Sequence, residues 1–161
     1  ETFSNIFLYN DYKKFFSNKV VHYESSIGLG NNKINFSEII TKIKSYPIFL
    51  KIDIEGSEYR ILNDIIDYQD KISGLVIEFH NIDLHKEIIS DFIDKFSLSL
   101  CHIHGQNPLG ANYLDNNNDP IQVEMTFSNS KNILSAKPKI PHPLDQPADF
   151  RFKDVKLNFM D

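Results

Sequence analysis

The sequence predicts an α/β domain organised around a mostly parallel sheet, and two observations carry that prediction. Short apolar runs that end in turn residues recur at 47–54 and 75–80, and each is followed by a stretch whose apolar positions lie three or four apart. Parallel neighbours need crossover connections of about that length, usually helical, so strands alternating with helices imply a parallel sheet covered on both faces.

VVHYESSI at 20–27 has the valines and aromatic of a strand and meets the turn residues GLGNN. Ser37 is the expected N-cap of FSEIITKIKSY, whose Ile39, Ile40 and Ile43 share a helical face, and Pro47 closes the stretch. PIFLKIDI at 47–54 is the next strand. A helix from Glu58 to Tyr68 follows, with Tyr59, Leu62, Ile65 and Ile66 on its apolar side and with Glu55 and Glu58 at its positively polarised start. LVIEFH at 75–80 is a third strand, and Asp83 is the expected cap of LHKEIISDFIDKF, striped by Leu84, Ile88, Phe92 and Phe96. LSLCHIH at 98–104 and IQVEMTF at 121–127 are strand-like with only polar loop between them; two strands joined without a helix are most simply antiparallel. From Ser128 onward, prolines at 138, 141, 143 and 147 leave an extended tail with one short edge strand at 154–159.

The chain has 161 residues, 41% of them hydrophobic, enough for one core, so residues 1–161 are expected to form a single domain. Lys and Arg number 17 against 22 Asp and Glu, a net charge of −5, and the basic residues are scattered, which argues against nucleic acid as a partner. The single Cys101 forms no internal disulfide and no apolar run is long enough to span a bilayer, so a soluble cytoplasmic protein is expected. The opening ETFSNIFLYN has neither an initiator Met nor a signal-peptide pattern, as expected of part of a longer protein.

In open α/β sheets ligands sit beyond the carboxyl ends of the strands. Asp53 holds that position after 47–54, Glu78, His80 and Asn81 after 75–80, and His102 and His104 after 98–104. An acid at the end of a buried strand must find partners or shift its pKa, which makes Asp53 the first candidate for catalysis. Glu58 is expected to serve mainly the helix dipole.

KIDIEGSEYRIL at 51–62, VIEFH at 76–80, HIHGQN at 102–107, VEMTF at 123–127 and PHPLDQP at 141–147 occur in the order of the FkbM-type methyltransferases, whose signature they resemble. The resemblance covers roughly residues 20–155. It implies a Rossmann-like class I fold that uses S-adenosylmethionine to methylate a hydroxyl of a small molecule or sugar. The 47–54 strand would then be the fourth, 75–80 the fifth, and the closing pair the sixth and seventh, the last antiparallel. It further implies Asp53, His80 and Glu55 as catalytic residues, Ser26, Ile27 and Asp53 as cofactor contacts, and Asn81, His104 and Asn107 as substrate contacts. One departure stands out: the family's glycine-rich loop after the first strand and acid after the second have no counterpart upstream of residue 20. YESSIGLG mimics the loop, but too few strands follow it, so residues 20–27 read as the third strand and the cofactor-loop portion as missing.

Methyl transfer to oxygen needs a base beside the acceptor; Asp53 is the first choice and His80 the second, since a histidine near pKa 6.5 suits proton removal near neutrality. A metal-assisted version, with Asp53 opposite His80 and Asn81, matches in part and is not favoured, because imidazole suits Mn²⁺, Fe²⁺ or Zn²⁺ better than Mg²⁺. Two rival classes remain. Asp53 and Glu55 at a strand end also suit a metal-dependent nuclease, and a half-domain without its glycine loop suits a binding or assembly module without cofactor chemistry.

Overall fold

The computed structural model describes residues 10–12, 14, 23, 25–28, 33–108, 113–129, 140–153, 155 and 157. Most of the expected strand at 20–27, the GLGNN turn and the edge strand at 154–159 lie outside them. Ser26–Ile27 (β1) pairs in parallel with Lys33–Ile34 (β2) as a separate two-stranded sheet. The chain continues through helix α1 (Phe36–Lys42), β3 (Ile48–Ile52), α2 (Leu62–Asp67), β4 (Ile72–Phe79), α3 (Lys86–Lys95), β5 (Ser99–Gln106) and β6 (Gln122–Ser128).

The main sheet has the order β3-β4-β6-β5. β3 and β4 are parallel, and β6 runs antiparallel to both β4 and β5. β3, β4 and β5 therefore share one direction, and the last strand is inserted against them. This is a mixed α/β sheet, mostly parallel with one antiparallel strand. No helix among the described residues is long and apolar enough to cross a membrane.

Side chains alternate across the strands, so each strand has a core face and a polar face. Leu75, Ile77 and Phe79 of β4 and Phe127 of β6 are fully buried on the core face. Phe92 of α3 packs edge-on against Phe79 and Phe127, at ring-centre distances of 6.4 and 5.7 Å, while Leu62 and Ile65 of α2 complete the cluster. On the opposite face of the sheet, Lys51 of β3 reaches across to Glu124 of β6 at 2.7 Å. The crossover helices thus share one face instead of being divided between two.

Helix boundaries depart from expectation in instructive ways. The N-cap of α1 is Asn35, not Ser37, and that of α3 is His85, not Asp83; neither side chain caps the helix N–H groups. The predicted 58–68 helix begins as a 3-10 turn, Glu58–Arg60, before α2 starts at Leu62. On α3 the buried positions are Ile89 and Phe92, followed by Phe96, whereas Ile88 and Leu84 are 46% and 76% exposed. Phe92→Ala should therefore cost about 3–5 kcal/mol of unfolding free energy and Ile88→Ala under about 1 kcal/mol, as read by urea titration.

The described part of the Pro-rich tail, 140–153, forms turns and no regular element. It is held to β5 by Asp145, whose carboxylate lies 2.8 Å from His102 Nε2, and by Asn107, which donates its side-chain N–H to the Lys153 carbonyl.

Candidate functional site

β3 and β4 end side by side because their register is parallel, with Ile52 opposite Ile77. The residues that follow each strand therefore meet at the carboxyl edge. After β3 the chain turns at Ile54–Ser57, where the Ser57 N–H donates to the Ile54 carbonyl at 3.2 Å. Glu55 and Gly56 at its centre have φ of 54° and 89°. Glycine adopts this region freely, but an L-residue such as glutamate pays roughly 1–2 kcal/mol for it.

Glu58 is what holds that turn. Its side chain is fully buried, and its Oε1 accepts the backbone N–H groups of Ile54 and Gly56, each at 3.1 Å. The same oxygen lies 3.1 Å from His80 Nδ1. A carboxylate can only accept, so Nδ1 donates to Glu58 and Nε2 points away from it. Glu58 is thus a buried clamp between turn and histidine, and the expectation that it chiefly complements a helix dipole is overturned. Its second oxygen, Oε2, has no hydrogen-bond partner.

Tyr59 fixes His80 from the main-chain side. Its hydroxyl donates to the His80 carbonyl at 2.6 Å, and its ring stacks on His85 at 3.8 Å. Burial, then the neighbouring Glu58 and Asp83, push the phenol above its ordinary value, so it stays a donor.

His80 Nε2 faces Glu55 Oε2 at 3.4 Å and Glu78 Oε1 at 3.6 Å. Ligand atoms of Asp53, Glu55 and His80 all lie within 4.8 Å of one another. Asp53 and Glu55 are exposed, while the His80 side chain retains 9% of its accessible surface. Asn81 borders the cluster: it is left-handed (φ 52°), its side-chain nitrogen approaches Gly56, and its carbonyl oxygen lies 2.9 Å from His85 Nδ1.

Glu78 adds a further carboxylate, hydrogen-bonded by the Gln122 amide and 3.9 Å from Lys51. Burial first, then the charge of Asp53, raise its pKa above the ordinary glutamate value; the Gln122 bond, Lys51 and His80 oppose this. A carboxyl group with a raised folded pKa weakens the fold as pH rises through that value and ceases to do so below its unfolded value. The wild type should therefore gain stability relative to Glu78→Gln as pH falls from 7 towards 4, a trend that thermal melts of both proteins will read.

The structure brings together Asp53, Glu55, His80 and Asn81, and it adds Glu58 and Tyr59, which the sequence reading had not placed in the site. An acid two residues after a glycine, in GSE, is the signal that could have marked Glu58. Other expected contacts fall elsewhere. His104 lies within β5 and Asn107 just after it, and β5 is separated from β4 by the inserted β6, a displacement of about 10 Å at ordinary strand spacing. His104 is buried beside Gln106 at 3.2 Å, and Asn107, 2% exposed, holds the tail, so neither is a substrate contact at this cluster. Ser26 and Ile27 belong to the separate β1–β2 pair.

Comparison of the chain with family models, with curated proteins and with solved structures finds no match in any of the three.

Proposed function

We propose that this chain is the carboxyl-terminal part of an FkbM-like, S-adenosylmethionine-dependent methyltransferase domain that acts on a hydroxyl of a small molecule or sugar. The observation that carries the reading is the convergence of Asp53 and His80, each from a signature segment, at the carboxyl edge of adjacent parallel strands. The sheet supports it. β3 and β4 are adjacent and parallel, as the fourth and fifth strands of the 3-2-1-4-5-6 order would be, β5 shares their direction, and the last strand, β6, is antiparallel and inserted between β4 and β5. β3 forms a border of this sheet among the described residues, on the side where earlier strands of that order would lie.

When bound, S-adenosylmethionine supplies an electrophilic methyl group on a sulfonium. The donor set suits the cationic end of such a group, since Asp53 and Glu55 offer exposed carboxylates at the strand exits. Among the described residues no glycine-rich turn leads out of the main sheet to hold a nucleoside, so the fit extends to that end alone. The work left to the protein is to orient the acceptor hydroxyl and take its proton. His80 is built for this, because Glu58 fixes its tautomer and leaves Nε2 facing the crevice, as the buried carboxylate does in other carboxylate-histidine pairs. Asp53 beside it can accept the hydroxyl's hydrogen bond and align it.

The test is a panel of sugar and polyketide hydroxyls incubated with the protein and methyl-labelled cofactor. Label transfer to a hydroxyl is expected, and absence of transfer across the panel together with absence of cofactor binding would refute the reading. A binding module without cofactor chemistry is favoured by one observation, the 64% exposed Phe49 on bordering β3, and it predicts that second outcome. In parallel, single-stranded DNA with Mn²⁺ should remain intact; its degradation would move Asp53 and Glu55 to a nuclease site.

A further inference from the structure

Two distances around His80 are the starting point. The side chain is more than nine-tenths buried, yet its Nε2 lies 3.4 Å from Glu55 Oε2 and 3.6 Å from Glu78 Oε1. Both exceed the ordinary N–H···O range of about 2.7–3.2 Å. Nδ1 has its partner in Glu58, so Nε2 is the ring nitrogen left facing the Glu55 and Glu78 carboxylates, at distances too long for an ordinary hydrogen bond. No Lys or Arg pairs with Asp53 or Glu55 among the described residues, and Lys51 is taken by Glu124 and Glu78.

We propose that Asp53, Glu55 and His80 bind one divalent transition-metal ion, of the Mn²⁺, Fe²⁺ or Zn²⁺ class, with Glu58 positioning the histidine from behind. Ligands held at about 2.1 Å from an ion lie roughly 3.0–3.5 Å apart when adjacent, and the 3.4 Å between His80 and Glu55 already has that spacing. The 4.8 Å limit for the whole group closes to bonding distance by rotation of Asp53 and Glu55, whose exposure leaves them free to move. Glu58 supplies the second carboxylate-to-histidine bond common behind metal-bound imidazole, and it is itself fixed by two backbone N–H groups. The imidazole ligand disfavours Mg²⁺ and Ca²⁺, which prefer all-oxygen surroundings.

Three protein ligands leave coordination positions open on the exposed side. With His80 Nε2 on the ion, an acceptor hydroxyl bound there would lose its proton more readily, as metal-bound water does, and the ion would replace His80 in the proton-removing role that the proposed function gives the histidine without metal. That last step rests on the methyltransferase reading; the ion site does not.

The experiment titrates Mn²⁺ into the protein with neither cofactor nor acceptor present, following the loss of the free-ion EPR signal, and then records pulsed EPR of the bound ion. One bound Mn²⁺ is expected, with ¹⁴N modulation from a single imidazole and displacement by Zn²⁺. Asp53→Asn and Glu55→Gln, both at exposed positions, should each weaken binding at least roughly tenfold, and Glu58→Gln by about 10–100-fold. Circular dichroism confirms that each variant is folded. Failure of the wild type to bind either ion, bound Mn²⁺ without nitrogen modulation, or affinity unchanged in Asp53→Asn and Glu55→Gln would overturn the proposal.

Discussion

Glu58→Ala should lower unfolding free energy by about 3–5 kcal/mol, far more than any other single acid at the site. Truncation removes the oxygen shared by the Ile54 and Gly56 N–H groups and His80 Nδ1, and it leaves those donors without their acceptor around the space of a fully buried side chain. Each buried donor without a partner costs about 1–3 kcal/mol. The loss will not stay local. Glu55 keeps its left-handed backbone because the turn around it is clamped, so release of the turn should also scatter the Glu55 carboxylate away from His80. Urea unfolding of Glu58→Ala beside Glu55→Ala, an 86% exposed side chain, separates the two contributions; the second should change stability by under about 1 kcal/mol.

Methyl transfer should fall about 10²- to 10⁴-fold in His80→Gln, the range for loss of a general base. Asp53→Asn should fall within the same range, because the amide keeps the shape of the side chain while giving up its charge and one acceptor. Glu58→Gln is the informative third variant. Were Glu58 only a helix-dipole partner, its amide would leave activity almost unchanged. Since it sets the tautomer of His80, the amide should instead lower the rate and move the pH profile of kcat/KM, whereas a purely structural role would change neither at equal folded fraction. An unshifted profile with full activity would return Glu58 to the dipole role that its sequence position first suggests.

The four main-sheet strands were legible because each is a short apolar run closed by turn or charged residues, and the parallel pairing of β3 with β4 followed from the helix-length segment between them. The convergence of Asp53 and His80 followed in turn from that pairing. What the sequence concealed traces to two physical causes. An acid just after a turn glycine looks the same whether it faces solvent at a helix start or folds inward to bind the turn; only packing distinguishes them, and packing buried Glu58. The strand-exit rule treats every exit as equivalent, but insertion of β6 between β4 and β5 moved His104 and Asn107 a further strand away from Asp53. The one-residue error on α3 has a smaller origin: a spacing of four drifts around a helix of 3.6 residues per turn, so Phe96 and Phe92 lead back to Ile89 and not to Ile88.

The central claim, that this carboxyl edge serves a methyl-donor site, is tested most directly by calorimetric titration of S-adenosylhomocysteine into the native gene product and its Asp53→Asn variant. Binding at one site by the wild type and roughly tenfold weaker binding by the variant, the size of one charged hydrogen bond, are expected. Absence of any binding to the native protein, or binding to which Asp53→Asn is indifferent, would contradict it.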